Sequence, residues 1–313
     1  MSRRIVITTD YLGPGDNIGH LLREHGLDPV YSPAAGPRTK AEQRQLLAGA
    51  VGAIVSSEPI TREMLAEAAG LRVVARSGVG YDSVDTTAAR ELGIRVANTP
   101  GVNHHAVAEL TLALMLNCAK HLSDVINGVN AGQWPRTAGT ELRGKTLGII
   151  GSGPSGKAIA QISAAVGMNV IVGTSHPDTE AGPTIEFADL DDVVRSADFL
   201  TLHARATGTP IIDAERLAAM KETAFLINTA RGSLVDEAAL VTALEQRQIA
   251  GAALDVLETE PMQADSPLRN FDNVWITSHL AGQIVEARER AGLAAAQAVI
   301  DVLEGRQPVG LIV

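Results

Sequence analysis

Cysteine, aromatic residues and clustered basic charge are all scarce in this 313-residue sequence, and each scarcity excludes something. The one cysteine, Cys118, rules out an intramolecular disulfide and leaves too few thiols for a cysteine-based zinc site. It sits in the apolar run 112–119, where a buried thiol acts as a small hydrophobe. Aromatic residues make up 3% of the chain, so its cores must be built from Ala, Val, Leu and Ile, which suit helices packed closely on a sheet. The net charge is −10 and no long run of Lys and Arg is present, which argues against a nucleic-acid footprint. Any anionic ligand must then be held by local groups rather than by the overall field. No apolar stretch approaches the roughly 20 residues that span a bilayer. Residues 1–10 turn polar too early for a signal peptide. The expectation is a cytoplasmic chain with neither nucleic-acid nor membrane partners.

What is present is an alternation. The length suits two domains at roughly 100–200 residues each. Short β-rich runs at 4–8, 53–56 and 72–75 are separated by helical patterns at 18–24, 40–47 and 61–69. After a break at 98–101 comes a long apolar helix, 106–121, and then a Gly- and Pro-bearing segment, 128–144, that reads as an exposed arm or loop. A second series of apolar runs follows at 146–151, 169–173, 199–203, 224–229, 250–255 and 273–277, with helices at 155–166, 190–196, 213–220 and 237–246 between them. Strand and helix alternating in this way make a parallel sheet covered on both faces. Six such strands complete a dinucleotide-binding domain. The last helix, 284–304, is expected to return to the first domain. The predicted class is α/β, with two doubly wound parallel-sheet domains. One is a Rossmann nucleotide-binding domain over 101–283; the other is a smaller flavodoxin-like substrate domain over 1–100 plus 284–313.

Gly151-Ser152-Gly153-Pro154-Ser155-Gly156 matches G-x-G-x-x-G between a predicted strand and a predicted helix. Gly151 allows the tight turn, Gly153 a close approach of backbone to pyrophosphate, and Gly156 close packing of helix on strand. Pro154 fits the first helical turn, where its missing N–H costs nothing, and Ser155 lies at the same helix start. A purely structural glycine turn and a methyltransferase are the other readings of this motif. The cofactor-selecting position should end the next strand. That tip carries Thr174, Ser175 and His176, and the first acid is Asp178. With no carboxylate to hold the ribose hydroxyls or repel a 2′-phosphate, NADP is favoured over NAD; Asp178 folding back would restore NAD.

Three further strand ends carry chemistry: Arg231 after 224–229, Glu260 after 250–255, and His279 after 273–277. In an open parallel sheet, ligands bind outside the carboxyl ends of the strands, so all three share the edge that holds the glycine loop. A surface Arg, a turn Glu and a capping His would each be ordinary alone. His104 and His105 are expected at the start of the long helix with no metal role, since neighbouring residues do not share a helix face. Trp134 and Arg136 are candidates for a partner-subunit contact.

With these residues in view, the chain resembles the D-isomer-specific 2-hydroxyacid dehydrogenase family, which includes phosphoglycerate, glycerate and glyoxylate/hydroxypyruvate enzymes. The resemblance is carried by 76–85, by 151–156, by Ile227-Asn-Thr-Ala-Arg-Gly-Ser-Leu-Val-Asp236, and by 255–261 and 277–282. It implies an NAD(P)-dependent oxidoreductase of a small 2-keto or 2-hydroxy acid, in two domains and usually a homodimer. Arg231 would fork onto a carboxylate or keto oxygen. His279 would exchange a proton with the substrate oxygen, and Glu260 would orient it. Ser77, Gly78, Val79 and Gly80 would form the substrate loop, with the N–H groups of Val79 and Gly80 cradling the carboxylate. His203, Ala204, Arg205, Thr229, Ala230, Asp255 and Gly282 would join the cofactor contacts, Asp255 beside the nicotinamide carboxamide.

The sequence also departs from the family. Pro154 and Ser155 replace the usual Arg and Ile, and 204–208 lacks the common Pro-Leu-Thr. Ser56 stands where phosphoglycerate enzymes carry an Arg, which counts against a phosphoryl substrate. Two competing functions share the fold: a non-catalytic NAD(P)-sensing, corepressor-like binder, and a dehydrogenase of another small anion such as phosphite.

Overall fold

The first strand, β1 (Arg4–Ile7), alternates its buried side chains between two faces, and both faces are covered. The computed structural model describes residues 3–34, 36, 38–177, 185–206 and 208–313. Asp178 and Thr207 lie outside the described residues. After β1 come α1 (Asn17–Glu24), β2 (Asp28–Tyr31), α2 (Lys40–Leu46), β3 (Gly52–Val55), α3 (Arg62–Glu67), β4 (Val73–Arg76), α4 (Thr86–Glu91) and β5 (Arg95–Ala97). The helix starts are set by local chemistry. Asp16 Oδ1 accepts from Gly19 N–H at 2.6 Å, and Thr39 and Glu42 form a reciprocal capping box. The strands run parallel in the order β2-β1-β3-β4-β5, the flavodoxin-like order.

One face of this sheet presents Ile5, Ile7, Ile54 and Val73 to a C-terminal helix, Val285–Leu303, through Ala295, Val299, Ile300 and Leu303. The other face packs Val6, Val55 and Val74 on Leu46, Met64 and Leu65. Each such side chain, fully buried, contributes about 1.5–3 kcal/mol. The chain therefore divides into two compact units, 1–103 with 282–313, and 104–281. The tail after the C-terminal helix pairs back on β5 through Val96 and Ile312.

The second unit holds α5 (His104–Lys120), α6 (Leu122–Asn130), β6 (Thr146–Ile150), α7 (Pro154–Ala165), β7 (Asn169–Gly173), β8 (Ile185–Ala188), α8 (Leu190–Ser196), β9 (Phe199–Leu202), α9 (Ala214–Ala219), β10 (Phe225–Asn228), α10 (Glu237–Glu245), β11 (Gly251–Leu254) and β12 (Val274–Ile276). Its sheet runs β12-β11-β10-β9-β6-β7-β8, all parallel. Counted within the unit, this is the classic Rossmann order with one strand added, and the order reverses between β6 and β9. The sheet has seven strands rather than the expected six. The strand not expected, β8, lies at the sheet edge, and Glu186 interrupts its short apolar run. The expected arm 128–144 also begins differently, because Gly128 and Asn130 close α6. Residues 133–141 have no regular structure, and Trp134 there is 81% exposed. Cys118 is buried in the core behind α5, where burial pushes its thiol up to about 12. Among the described residues, no helix is long and apolar enough to cross a membrane, and no His, Cys, Asp or Glu group clusters as a metal would require.

Candidate active site

β6 ends directly in the glycine loop. Gly151 adopts φ +102°, and a Cβ there would lie 2.6 Å from the His203 carbonyl oxygen. A Cβ on Gly156 would lie 2.1 Å from the Gly151 oxygen, so this glycine is what lets α7 close onto the loop. Gly153 differs. Its Cβ would meet nothing within 4 Å, so the space above the α7 N-terminus is open. No side chain caps that terminus, and Pro154 occupies its first turn. Free N–H groups, the positive helix end and an open approach are what a dinucleotide phosphate needs, so these residues fit one.

The loop is braced from two sides. Ser152 Oγ donates to Thr174 Oγ1 at 3.0 Å and to the His176 carbonyl at 3.2 Å. Ser175 Oγ and His176 Nδ1 are 2.8 Å apart. The predicted 174–176 tip is thus tied to the glycine loop by hydroxyl contacts. On the other side, His203 is buried between Thr201 Oγ1 and Ser155 Oγ, 3.1 Å from each. Burial pushes its imidazole down to about 4, so it stands neutral under the first turn of α7. Arg205 is exposed. Next to the loop, a cavity of about 440 Å³ is lined by His104, His105, Ser152, Pro154, Lys157 and Gln161. The two histidine rings lie 4.0 Å apart and both line this cavity, a position beyond their expected place at the start of the long helix. Sequence reasoning missed Lys157 as well. Its place one turn into α7 was the available signal.

Further along the same edge, Arg231, Glu260 and His279 follow β10, β11 and β12, which are adjacent strands. Their loops are locked together. A Cβ on Gly232 would fall 1.9 Å from both the carbonyl carbon and oxygen of Leu257, so the Arg231 loop touches the Glu260 loop backbone to backbone. Asn228 holds the Arg231 loop, donating from Nδ2 to the Arg231 carbonyl at 2.8 Å and accepting from Ala230 N–H at 3.1 Å. Glu260 Oε1 accepts from Leu257 N–H at 3.0 Å, and Oε2 meets His279 Nδ1 at 2.7 Å. His279 Nε2 makes no hydrogen bond among the described residues, and the side chain is half exposed.

His279 sits at φ +56°, a left-handed conformation uncommon for a non-glycine residue. Asp255 holds that turn. Its carboxylate accepts from Thr277 Oγ1 at 2.6 Å, Leu280 N–H at 2.9 Å and Ala281 N–H at 3.0 Å, and its carbonyl accepts from His279 N–H at 2.8 Å. Asp255 is 1% exposed. The resemblance placed Asp255 at a cofactor; here both of its oxygens are engaged inside the turn. Thr229 is likewise buried, its hydroxyl 2.9 Å from that of Thr111, while Ala230 is partly buried against the same core. Gly282 belongs to the first unit, beside Asn103.

In the first unit, Ser77 ends β4 in a loop. Ser77 is buried and its Oγ lies 2.7 Å from Tyr11 Oη. Gly78 adopts φ +154°, and its N–H meets Thr99 Oγ1 at 2.8 Å. Asn98 Nδ2 holds the Val79 carbonyl at 2.6 Å. The N–H groups of Val79 and Gly80 donate to nothing among the described residues, and Val79 is exposed.

Known proteins resemble this chain in sequence and in fold. The family described as "D-isomer specific 2-hydroxyacid dehydrogenase, NAD binding domain" matches residues 112–281. A glyoxylate reductase of Thermofilum pendens is 39% identical over 82% of this chain and 79% of its own length. The TT0316 protein of Thermus thermophilus superposes with a TM-score of 0.91 at 37% identity, covering 99% of this chain and all of that one. An acyclic imino acid reductase (Bsp5), solved in complex with NADPH and D-Arg, superposes with a TM-score of 0.87 at 29% identity, covering 99% of this chain and all of that one.

Proposed function

This chain belongs to the D-isomer specific 2-hydroxyacid dehydrogenase family and is a nicotinamide-dependent oxidoreductase of that kind, and we propose that it interconverts a small 2-keto acid and its D-2-hydroxy acid with Arg231, Glu260 and His279 as the catalytic residues. The observation that carries the proposal is the His279–Glu260 pair: Nδ1 is engaged at 2.7 Å and Nε2 has no partner among the described residues. Nε2 is then the atom that gives a proton to the substrate oxygen in reduction and takes it back in oxidation. Glu260 fixes the orientation of the ring through Nδ1. The Arg231 guanidinium forks onto the substrate's carboxylate or keto oxygen. The open N–H groups of Val79 and Gly80 receive the carboxylate, so the acidic surface of the chain is no obstacle.

Bound at the Gly151–Gly156 loop, the nicotinamide cofactor supplies or accepts the hydride at the substrate's C2. The α7 N-terminus and Lys157 hold its phosphates. Thr174, Ser175 and His176 offer hydroxyl and imidazole donors and no carboxylate, which supports NADP over NAD. NADPH in the imino acid reductase complex is in keeping with this. Thr174→Asp should shift preference toward NAD. We also infer a cytoplasmic homodimer. Leu122, Ile126 and Val129 form an exposed apolar row on α6, and Trp134 stands exposed beyond it. A monomer by size-exclusion chromatography would remove the dimer.

The test of function follows the absorbance of the reduced nicotinamide with a panel of 2-keto acids and both cofactors. His279→Ala and Arg231→Ala should abolish turnover, while cofactor titration shows binding retained. Wild-type turnover in either variant, or no oxidation with any keto acid, would overturn the assignment.

A further inference from the structure

We propose that the first unit carries a second anion site, formed by Arg288 on the face of Tyr11, and that the preferred substrates are 2-keto acids bearing a second carboxylate at the far end. The proposal rests on the keto acid reading above and assigns a residue that neither the motifs nor the comparisons single out.

Tyr11 follows β1 and Ser77 follows β4, so both lie at the carboxyl edge of the first sheet. In that sheet the order reverses between β1 and β3, and doubly wound sheets take their ligands outside such a reversal. Thr8 and Thr9 directly follow β1 with buried hydroxyls that have no hydrogen-bond partner among the described residues, which marks this edge as unfinished in its polar bonding. The Tyr11 hydroxyl meets Ser77 Oγ at 2.7 Å, and Ser77 opens the loop whose Val79 and Gly80 N–H groups are free. Arg288, near the start of the C-terminal helix, places its Cζ 5.0 Å from the centre of the Tyr11 ring. A guanidinium therefore stands one tyrosine ring away from the proposed carboxylate cradle.

The state of that guanidinium is the second observation. Its Nε and Nη2 both donate to the Gln283 side-chain oxygen, an amide rather than a carboxylate. Among the described residues Arg288 forms no ion pair, whereas Arg38, Arg62, Arg216 and Arg306 each have a carboxylate. Stacking and the amide orient Arg288 without neutralising it, and Nη1 has no partner among the described residues. Asp10 also acts on Tyr11, but more weakly than Arg76 and Arg288 do. Arg76 is directed into the loop, donating to the Ser77 carbonyl at 2.7 Å. An oriented, half-exposed guanidinium with open donors matches the geometry of a carboxylate.

The test compares kcat/KM for glyoxylate and pyruvate with that for oxaloacetate and 2-oxoglutarate, in the wild type and in Arg288→Gln, Arg288→Lys and Tyr11→Phe. The wild type should favour a dicarboxylate. Arg288→Gln should lower the dicarboxylate-to-monocarboxylate ratio about 10- to 100-fold, the worth of a hydrogen bond to a charged group, and should do so through KM. Arg288→Lys should recover part of the ratio. Malonate, an unreactive dicarboxylate, should compete with the keto acid in the wild type and lose that competition in Arg288→Gln. An unchanged ratio in Arg288→Gln, with glyoxylate still reduced, would remove the second site and leave the keto acid reading standing. Failure of every keto acid in the wild type would remove both.

Discussion

Gly232→Ala is the sharpest probe of how the site is held. The glycine lies between the loop that carries Arg231 and the loop that carries Glu260. A Cβ there would lie 1.9 Å from the Leu257 carbonyl carbon and oxygen and 2.4 Å from Glu258 N. These are backbone atoms, so no rotamer change relieves the overlap. Ordinary contact begins at 3.4 Å, so the loops must part by about 1.5 Å, and a misplacement of 1 Å can cost about 100-fold in rate. Leu257 N–H orients Glu260 Oε1, so the shift also draws Glu260 away from His279. Overpacking of this kind costs about 1–3 kcal/mol, or a few degrees of Tm. The expected variant is folded, melts slightly lower, binds cofactor normally and has lost about 100-fold or more in kcat. Saturating kinetics, a thermal melt and a cofactor titration measure the three quantities. A folded Gly232→Ala enzyme with wild-type kcat would refute the reasoning that the two loops act as one piece.

Other outcomes follow from the same geometry. His203 has a folded value of about 4 against 6.5 when free, so the unfolded chain takes up the proton first. Its stabilisation is complete above pH 6.5 and is lost as the pH falls toward 4, at about 1.4 kcal/mol per unit and about 3 kcal/mol in all. Urea unfolding across that range should show the loss, and His203→Gln should flatten it; parallel curves would contradict the assignment. Gly153→Ala, whose Cβ meets no protein atom, should melt as the wild type does but bind cofactor weakly, while Gly156→Ala should lose stability through the 2.1 Å approach to the Gly151 oxygen. Equal melting of the two would count against the open cradle. Asp255→Asn replaces an acceptor with a donor facing the N–H groups of the His279 turn, and should cost about 1–3 kcal/mol in stability along with turnover. A wild-type melt for this variant would show that the turn does not depend on the carboxylate.

Much of the fold was legible because its central strands are apolar runs closed by glycine or a polar residue. β6, β9, β10 and β11 are of this type. The strands that escaped are edge or minimal ones. β2 carries Asp28 and Pro29 and pairs on one side only, where a missing N–H costs little. β5 has three residues, and β8 is a four-residue edge strand. The candidate site was legible where chemistry coincides with a strand end, as with Arg231, Glu260 and His279. It was illegible where meaning depends on an approach between distant segments. Nothing local in the sequence announces that Gly232 meets Leu257, that both Asp255 oxygens close the His279 turn, or that Arg288 reaches Tyr11 across the length of the chain.

The C-terminal helix has a consequence for the order of events during synthesis. Ile5, Ile7, Ile54 and Val73 find their cover in Ala295, Val299, Ile300 and Leu303. At about 5–20 residues per second, roughly 10 to 40 seconds separate the emergence of β5 from that of the helix that completes the core. The nucleotide unit is continuous over 104–281 and can fold in that interval. The first unit waits with one greasy sheet face bare, so a nascent chain of this protein is a client for whatever shields such surfaces at the ribosome.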